Sequence, residues 1–104
     1  MGLSASTENN MGYSSVVTAI FAGSSTLTDV IISRTNIDLN AKGVTGNTPL
    51  MWAALWGQYD VADSLLQQGA DYTLTNKDGK NALQLAGEAG HRDIVQLLRS
   101  FGAM

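Results

Sequence analysis

A chain of 104 residues that is 44% hydrophobic is sized for one domain with a modest core, neither a disordered tail nor two independent domains. Its formal charge of −3, with 6 Lys and Arg and no basic cluster, argues against nucleic acid as a partner, and no apolar run approaches the ~20 residues that cross a bilayer. With 0 Cys there is nothing to oxidise, so the redox compartment stays open.

Residues 1–11, MGLSASTENNM, are mostly small and polar and read as a flexible N-terminal segment or a scar of expression. They have no basic start followed by an apolar stretch, so no signal peptide is visible. The expectation is a soluble chain, cytoplasmic by preference, with a secreted or periplasmic one as the alternative had a leader been removed.

From residue 12 onward the chain repeats itself. GNTPLMWAALWG (46–57) superposes on GKNALQLAGEAG (79–90) at an offset of 33, and DVADSLLQQGA (60–70) superposes on DIVQLLRSFGA (93–103) in the same register. A degenerate copy precedes both: GYSSVVTAIFAG (12–23) fits the first segment at an offset of 34, and NIDLN (36–40) fits GADYT (69–73) at 33. One extra residue near Thr35 reconciles the two offsets. The units are therefore expected at about 12–45, 46–78 and 79–104 within a single domain over 12–104.

Each unit reads as helix, turn, helix. In the middle unit Thr48 precedes Pro49, and proline is tolerated in the first turn, where its missing N–H costs nothing and the threonine can cap the free donors. A helix is predicted from Pro49 to about Gly57, roughly two turns, too short to persist without neighbours. The second helix carries Val61, Ala62, Leu65 and Leu66 on one stripe and stops at Gly69, a left-handed position. The following ADYTLTNKDG suits an extended turn to the next unit. In the last unit Arg99 and Ser100 stand where the middle unit has Leu66 and Gln67, a polar surface expected of a C-terminal cap. In the first, Ser14 and Ser15 replace Thr-Pro and Asn36 replaces the terminal glycine, as expected of an N-terminal cap.

Catalytic and metal chemistry find little support. His91 and Asp93 formally supply letters of a triad and no more, and with one His, no Cys and carboxylates scattered as Asp60, Asp63, Glu88 and Asp93 there is no metal-ligand spacing. Gly43, Gly46 and Gly79 fall in turns without a following Gly-Lys-Ser/Thr, so no phosphate loop is expected. No metal or cofactor is expected.

TPLMWAALWGQYDVADSLLQQGAD, NALQLAGEAGHRDIVQLLRSFGA and the degenerate SSVVTAIFAGSSTLTDVIISRTNID together resemble the ankyrin repeat, whose pattern holds T-P-L-H-x-A at a period of 33 residues. The resemblance implies an all-α solenoid of stacked helix-turn-helix units joined by extended turns. It implies no enzyme but a protein-binding adaptor, scaffold or inhibitor, monomeric or weakly self-associating, with His91 in structural turn contacts. The family's histidine after T-P-L is Met51, Gln84 and Val17 here, so the polar tie at the helix start is expected to be missing and those turns looser.

The same resemblance places the two residues before each closing glycine on the concave face. Phe21, Leu55 and Glu88 would form one row and Ala22, Trp56 and Ala89 another, with Trp52 taking an inward, core position. The turn tips, Lys42, Val44, Thr45 and Asn47 in one and Thr75, Lys77, Asp78 and Lys80 in the next, are the second candidate surface. A small enzyme or ligand-binding protein using His91, or a purely structural spacer within a larger chain, is the alternative.

Overall fold

The computed structural model describes residues 13–34 and 38–103. These contain six helices and no strand: α1 over 13–21, α2 (Ser25–Arg34), α3 (Pro49–Trp56), α4 (Tyr59–Gln67), α5 (Ala82–Glu88) and α6 (Arg92–Ser100). Three expectations fall outside the described residues: the character of 1–11, the extra residue near Thr35 and the role of Asn36.

The helices are short because each begins and ends on a local signal. The Thr48 hydroxyl accepts from the Met51 amide at 3.3 Å and the Asn81 side chain accepts from the Gln84 amide at 2.9 Å, satisfying donors that an 8- or 7-residue helix leaves free. The expected loss of the polar tie here is corrected. Gln84 Oε1 accepts from the Asn81 amide at 3.0 Å, and the Met51 sulfur takes the same place toward the Thr48 amide at 3.4 Å. Any acceptor that can curl back from the third helical position closes the reciprocal pair, so histidine is dispensable in both turns. At the other end, α3 stops at Gly57 in the left-handed conformation with φ 71°. A side chain there would be strained, and its Cβ would lie 2.6 Å from the His91 ring.

Packing arranges the helices in two layers. α3 lies against α5 in the inner layer, while α2, α4 and α6 succeed one another in the outer layer, and each pair closes on itself through α3 with α4 and α5 with α6. α1 extends the inner layer past α3, since Tyr13 bonds to Asn47 and Phe21 meets Trp56. Between the layers runs one core holding Val16, Ile20, Leu50, Met51, Val61, Leu65, Ile94 and Leu98. The period of 33 explains its continuity: Leu50 and Leu83, or Leu65 and Leu98, occupy the same place in successive units and belong to the one core.

The first pair is the least buried. Thr28 is the one buried residue of α2, while Leu27 and Val30 are exposed. Polar bonds join α2 to α4 and its C-cap: Ser64 Oγ and Gln68 Nε2 both donate to the Asp29 carboxylate, the latter at 2.9 Å, while Ile31 and Ile32 pack against the core.

Candidate partner-binding surface

The inner helices α1 and α3 end side by side, so their last side chains meet. Phe21 closes α1 and is 73% exposed, and its ring meets that of Trp56, the last residue of α3, at 5.3 Å and 86°. Trp56 stacks in turn on Trp52 at 4.8 Å and 27°. Trp52 Nε1 donates to the Tyr13 hydroxyl at 2.8 Å, and that hydroxyl donates to the Asn47 carbonyl at 2.7 Å. Four aromatic side chains thus run in series along the seam between the first and second helix pairs. Edge-to-face and offset stacks of this kind hold rings in defined orientations.

The expectation of an inward, core Trp52 needs correction. It is half-buried and packs against the core from outside. The equivalent residue in the last unit, Leu85, is buried, whereas in the first unit it is Thr18, which is exposed. The indole of Trp52 reaches toward α1, where the Tyr13 hydroxyl accepts from its ring nitrogen. Trp56 is half-buried as well, so the two tryptophans form one stack rather than dividing between core and groove.

The other residues expected on the concave face are less apolar. Leu55 is half-buried, and Ala22 and Ala89 are exposed. Glu88 carries an ion pair with Lys80 at 2.7 Å, which ties the end of α5 to the neighbouring turn. That carboxylate, by hydrogen bond and by charge, holds the Lys80 ammonium above its ordinary range.

The turn tips are joined to one another. Lys77 donates its amide to the Thr45 carbonyl at 3.3 Å and Lys42 Nζ donates to the Thr75 carbonyl at 2.7 Å, so the two turns stack like the helices behind them. Val44, at 89% exposure, stands at the outer limit, with Lys42, Thr45, Thr75, Lys77 and Asp78 also exposed. Asn47 does not belong with them. It is 6% exposed, its carbonyl accepts from Tyr13 and from the Gly43 amide at 3.1 Å, and its side-chain oxygen accepts from Asn76 Nδ2 at 2.9 Å. A residue whose polar groups are so occupied is a strut between turns, and the expectation of Asn47 as a contact residue is corrected.

His91 sits between units. Its Nε2 lies 3.2 Å from the Leu55 carbonyl, an acceptor that this nitrogen meets as an N–H donor. The imidazole also fills the space above Gly57. Among the described residues no three His, Cys, Asp or Glu side chains group as a metal site, and no helix is long and apolar enough to cross a membrane. Sequence reading missed Tyr13 and Asp29, because both pair with residues 34 or more positions away and lie in the degenerate first unit.

Stacked two-helix units with paired turns define a helical repeat protein. A family model described as ankyrin repeats (3 copies) matches residues 2–76, and this chain belongs to the ankyrin-repeat family. It is 45% identical over 62 residues to ankyrin repeat family A protein 2 of Mus musculus, which is 60% of this chain and 20% of the mouse protein. It is 38% identical over 90 residues to dauer abnormal formation protein 25 of Caenorhabditis elegans, 86% of this chain and 23% of the other. It is 36% identical over 72 residues to a protein named probable palmitoyltransferase AKR2 of Saccharomyces uvarum, 68% of this chain and 10% of the yeast protein. The chain therefore spans less than a quarter of the length of each of these relatives. Ankyrin repeats in general are protein–protein interaction modules, typically without enzymatic activity.

Proposed function

We propose that the chain is a non-enzymatic docking module, serving as an adaptor, scaffold or inhibitor, whose partner seats on the concave ends of α1, α3 and α5. The observation that carries this reading is Phe21. A phenylalanine left 73% exposed on a prearranged aromatic stack keeps a large apolar surface in water unless something covers it. Leu55, Trp56 and Glu88 continue the surface, and the exposed tips around Val44 and Lys77 form its rim. A catalytic role for His91 is disfavoured by the Leu55 carbonyl that occupies its Nε2.

The test is affinity capture from the native source with wild-type and Phe21→Ala baits, followed by titration of the captured protein. Because Phe21 is exposed, the variant should melt within a few degrees of wild type while binding weakens by about 2 kcal/mol or more, as an aromatic hot spot would. Equal binding by the two baits would move the interface away from the groove.

A further inference from the structure

We infer that Asp78–Gly79 is a site of spontaneous main-chain modification to isoaspartate, and that the side chain of Asn76 restrains it. The chemistry needs no partner and is independent of the docking surface proposed above. In an Asp-Gly pair the glycine nitrogen attacks the aspartate Cγ: a C–N bond forms, the amide proton leaves with the carboxyl hydroxyl as water, and a cyclic imide results. Water then adds to one of the two imide carbonyls. Opening at the main-chain carbonyl leaves the chain running through the side-chain carbon, an isoaspartate of unchanged mass and charge; opening at the other restores aspartate. Glycine permits the attack because it has no Cβ to shield its nitrogen. Asp78–Gly79 is the single Asp-Gly or Asn-Gly pair of the chain. Both residues are exposed, Gly79 stands at φ 75°, and the space where its Cβ would lie is open.

The turn withholds that nitrogen. Gly79 donates its amide to the Asn76 carbonyl at 3.0 Å, so attack requires this bond to open first. Asn76 Oδ1 accepts from the main-chain amides of Asp78 at 2.9 Å and Lys80 at 3.1 Å, on either side of Gly79. Its Nδ2 is anchored in turn on Asn47 Oδ1 at 2.9 Å. The turn one unit earlier has the same closure, with Gly46 donating to the Gly43 carbonyl at 3.0 Å and Gly43 to the Asn47 carbonyl at 3.1 Å. There Gly43 stands in the place of Asn76 and offers no side chain, while Thr45–Gly46 has no carboxylate to react. The side-chain brace is thus present at the turn that holds the reactive pair.

Conversion inserts one extra carbon into the main chain of a turn that is bonded on both sides. Lys77 donates its amide to the Thr45 carbonyl, and Lys80 Nζ pairs with Glu88. A lengthened turn displaces both lysines and so remodels the exposed tip at constant charge.

The experiment incubates the whole chain, and a blocked peptide of residues 73–82, in warm neutral buffer made with heavy-oxygen water. Each passage through the imide leaves a heavy oxygen on residue 78, read by peptide mapping, and electron-transfer fragmentation distinguishes isoaspartate from aspartate. The label should appear at residue 78 in both, about tenfold more slowly in the folded chain, because only the opened turn reacts. Asn76→Ala should speed labelling of the folded chain about fivefold. Asn76→Asp keeps an acceptor for the two amides while losing the Nδ2 tie to Asn47, and should stay within about twofold of wild type. No label at residue 78 of the folded chain would overturn the site. Equal rates in chain and peptide, or Asn76→Ala labelling no faster than wild type, would overturn the restraint, and Asn76→Asp labelling as fast as Asn76→Ala would move it from the Oδ1 acceptor to the Asn47 tie. Thermal melts confirm that each variant is folded at the incubation temperature, and the comparison of chain with peptide needs no variant.

Discussion

At the scale of single residues, Tyr13 does the most with the least local warning. Its hydroxyl donates to Asn47 and accepts from Trp52, and it lies so close over Gly43 that a Cβ there would be 2.5 Å from the oxygen. One side chain of the degenerate first unit thus fastens a helix, a turn and an indole of the next. Replacing it by phenylalanine leaves the Trp52 N–H without its acceptor and the Asn47 carbonyl with the Gly43 amide alone in a half-buried seam. Tyr13→Phe should cost about 1–3 kcal/mol, measured as a shift in the denaturant midpoint at unchanged slope. The same variant should free the Trp52 indole, so quenching by a polar quencher should rise. In wild type both tryptophans should be quenched to an intermediate and similar extent, since each is half-buried and they stack on one another. One fully protected and one fully open tryptophan would contradict that stack.

At the scale of elements, the inner helices depend on their caps. With 8 and 7 residues, α3 and α5 lie well below the length at which a helix persists alone, so each capping bond is a large share of the local stability. Thr48 is buried at 2% exposure and Asn81 is partly open, which makes the two positions unequal. Thr48→Ala should cost about 2 kcal/mol and Asn81→Ala about 1 kcal/mol, read from equilibrium unfolding. Equal costs would mean that water substitutes for either cap with the same ease. The tie read as missing from the sequence is present for the same physical reason: a capping box requires an acceptor within reach of the N-cap amide, and glutamine or a thioether sulfur meets that need.

At the scale of the whole molecule, stability is a matter of neighbours. α3 reaches α5, α2 reaches α4 and α4 reaches α6, and the core is continuous only because successive units cover one another. Removing residues 79–104 would uncover the faces of α3 and α4 that α5 and α6 cover, including the surroundings of Leu50 and Leu65. The remainder is expected to unfold rather than persist as two units. A cooperative thermal transition in the truncated chain, followed by circular dichroism, would refute this.

How much of this was legible beforehand divides along a physical line. The period of 33, the Thr-Pro start of α3, the glycine stops and the apolar stripe of α4 depend on contacts within a few residues or on a repeat register, and such information is local or periodic. Helix positions in the second and third units could therefore be read from the chain by itself, and the resemblance to the ankyrin repeat supplied the solenoid. What the tertiary structure alone decided are the pairings that cross units without periodicity: Tyr13 with Trp52 and Asn47, Phe21 with Trp56, Asp29 with Ser64 and Gln68, and the tie of Asn47 to Asn76. Each depends on how a large or polar side chain settles beside a neighbour of different size. Trp52 reaches the Tyr13 hydroxyl with its ring nitrogen, and Asn47 turns inward where the Tyr13 hydroxyl, the Gly43 amide and the Asn76 side-chain amide donate to it. A repeat pattern dictates where side chains are presented, but the local inequality of neighbouring units dictates where they come to rest.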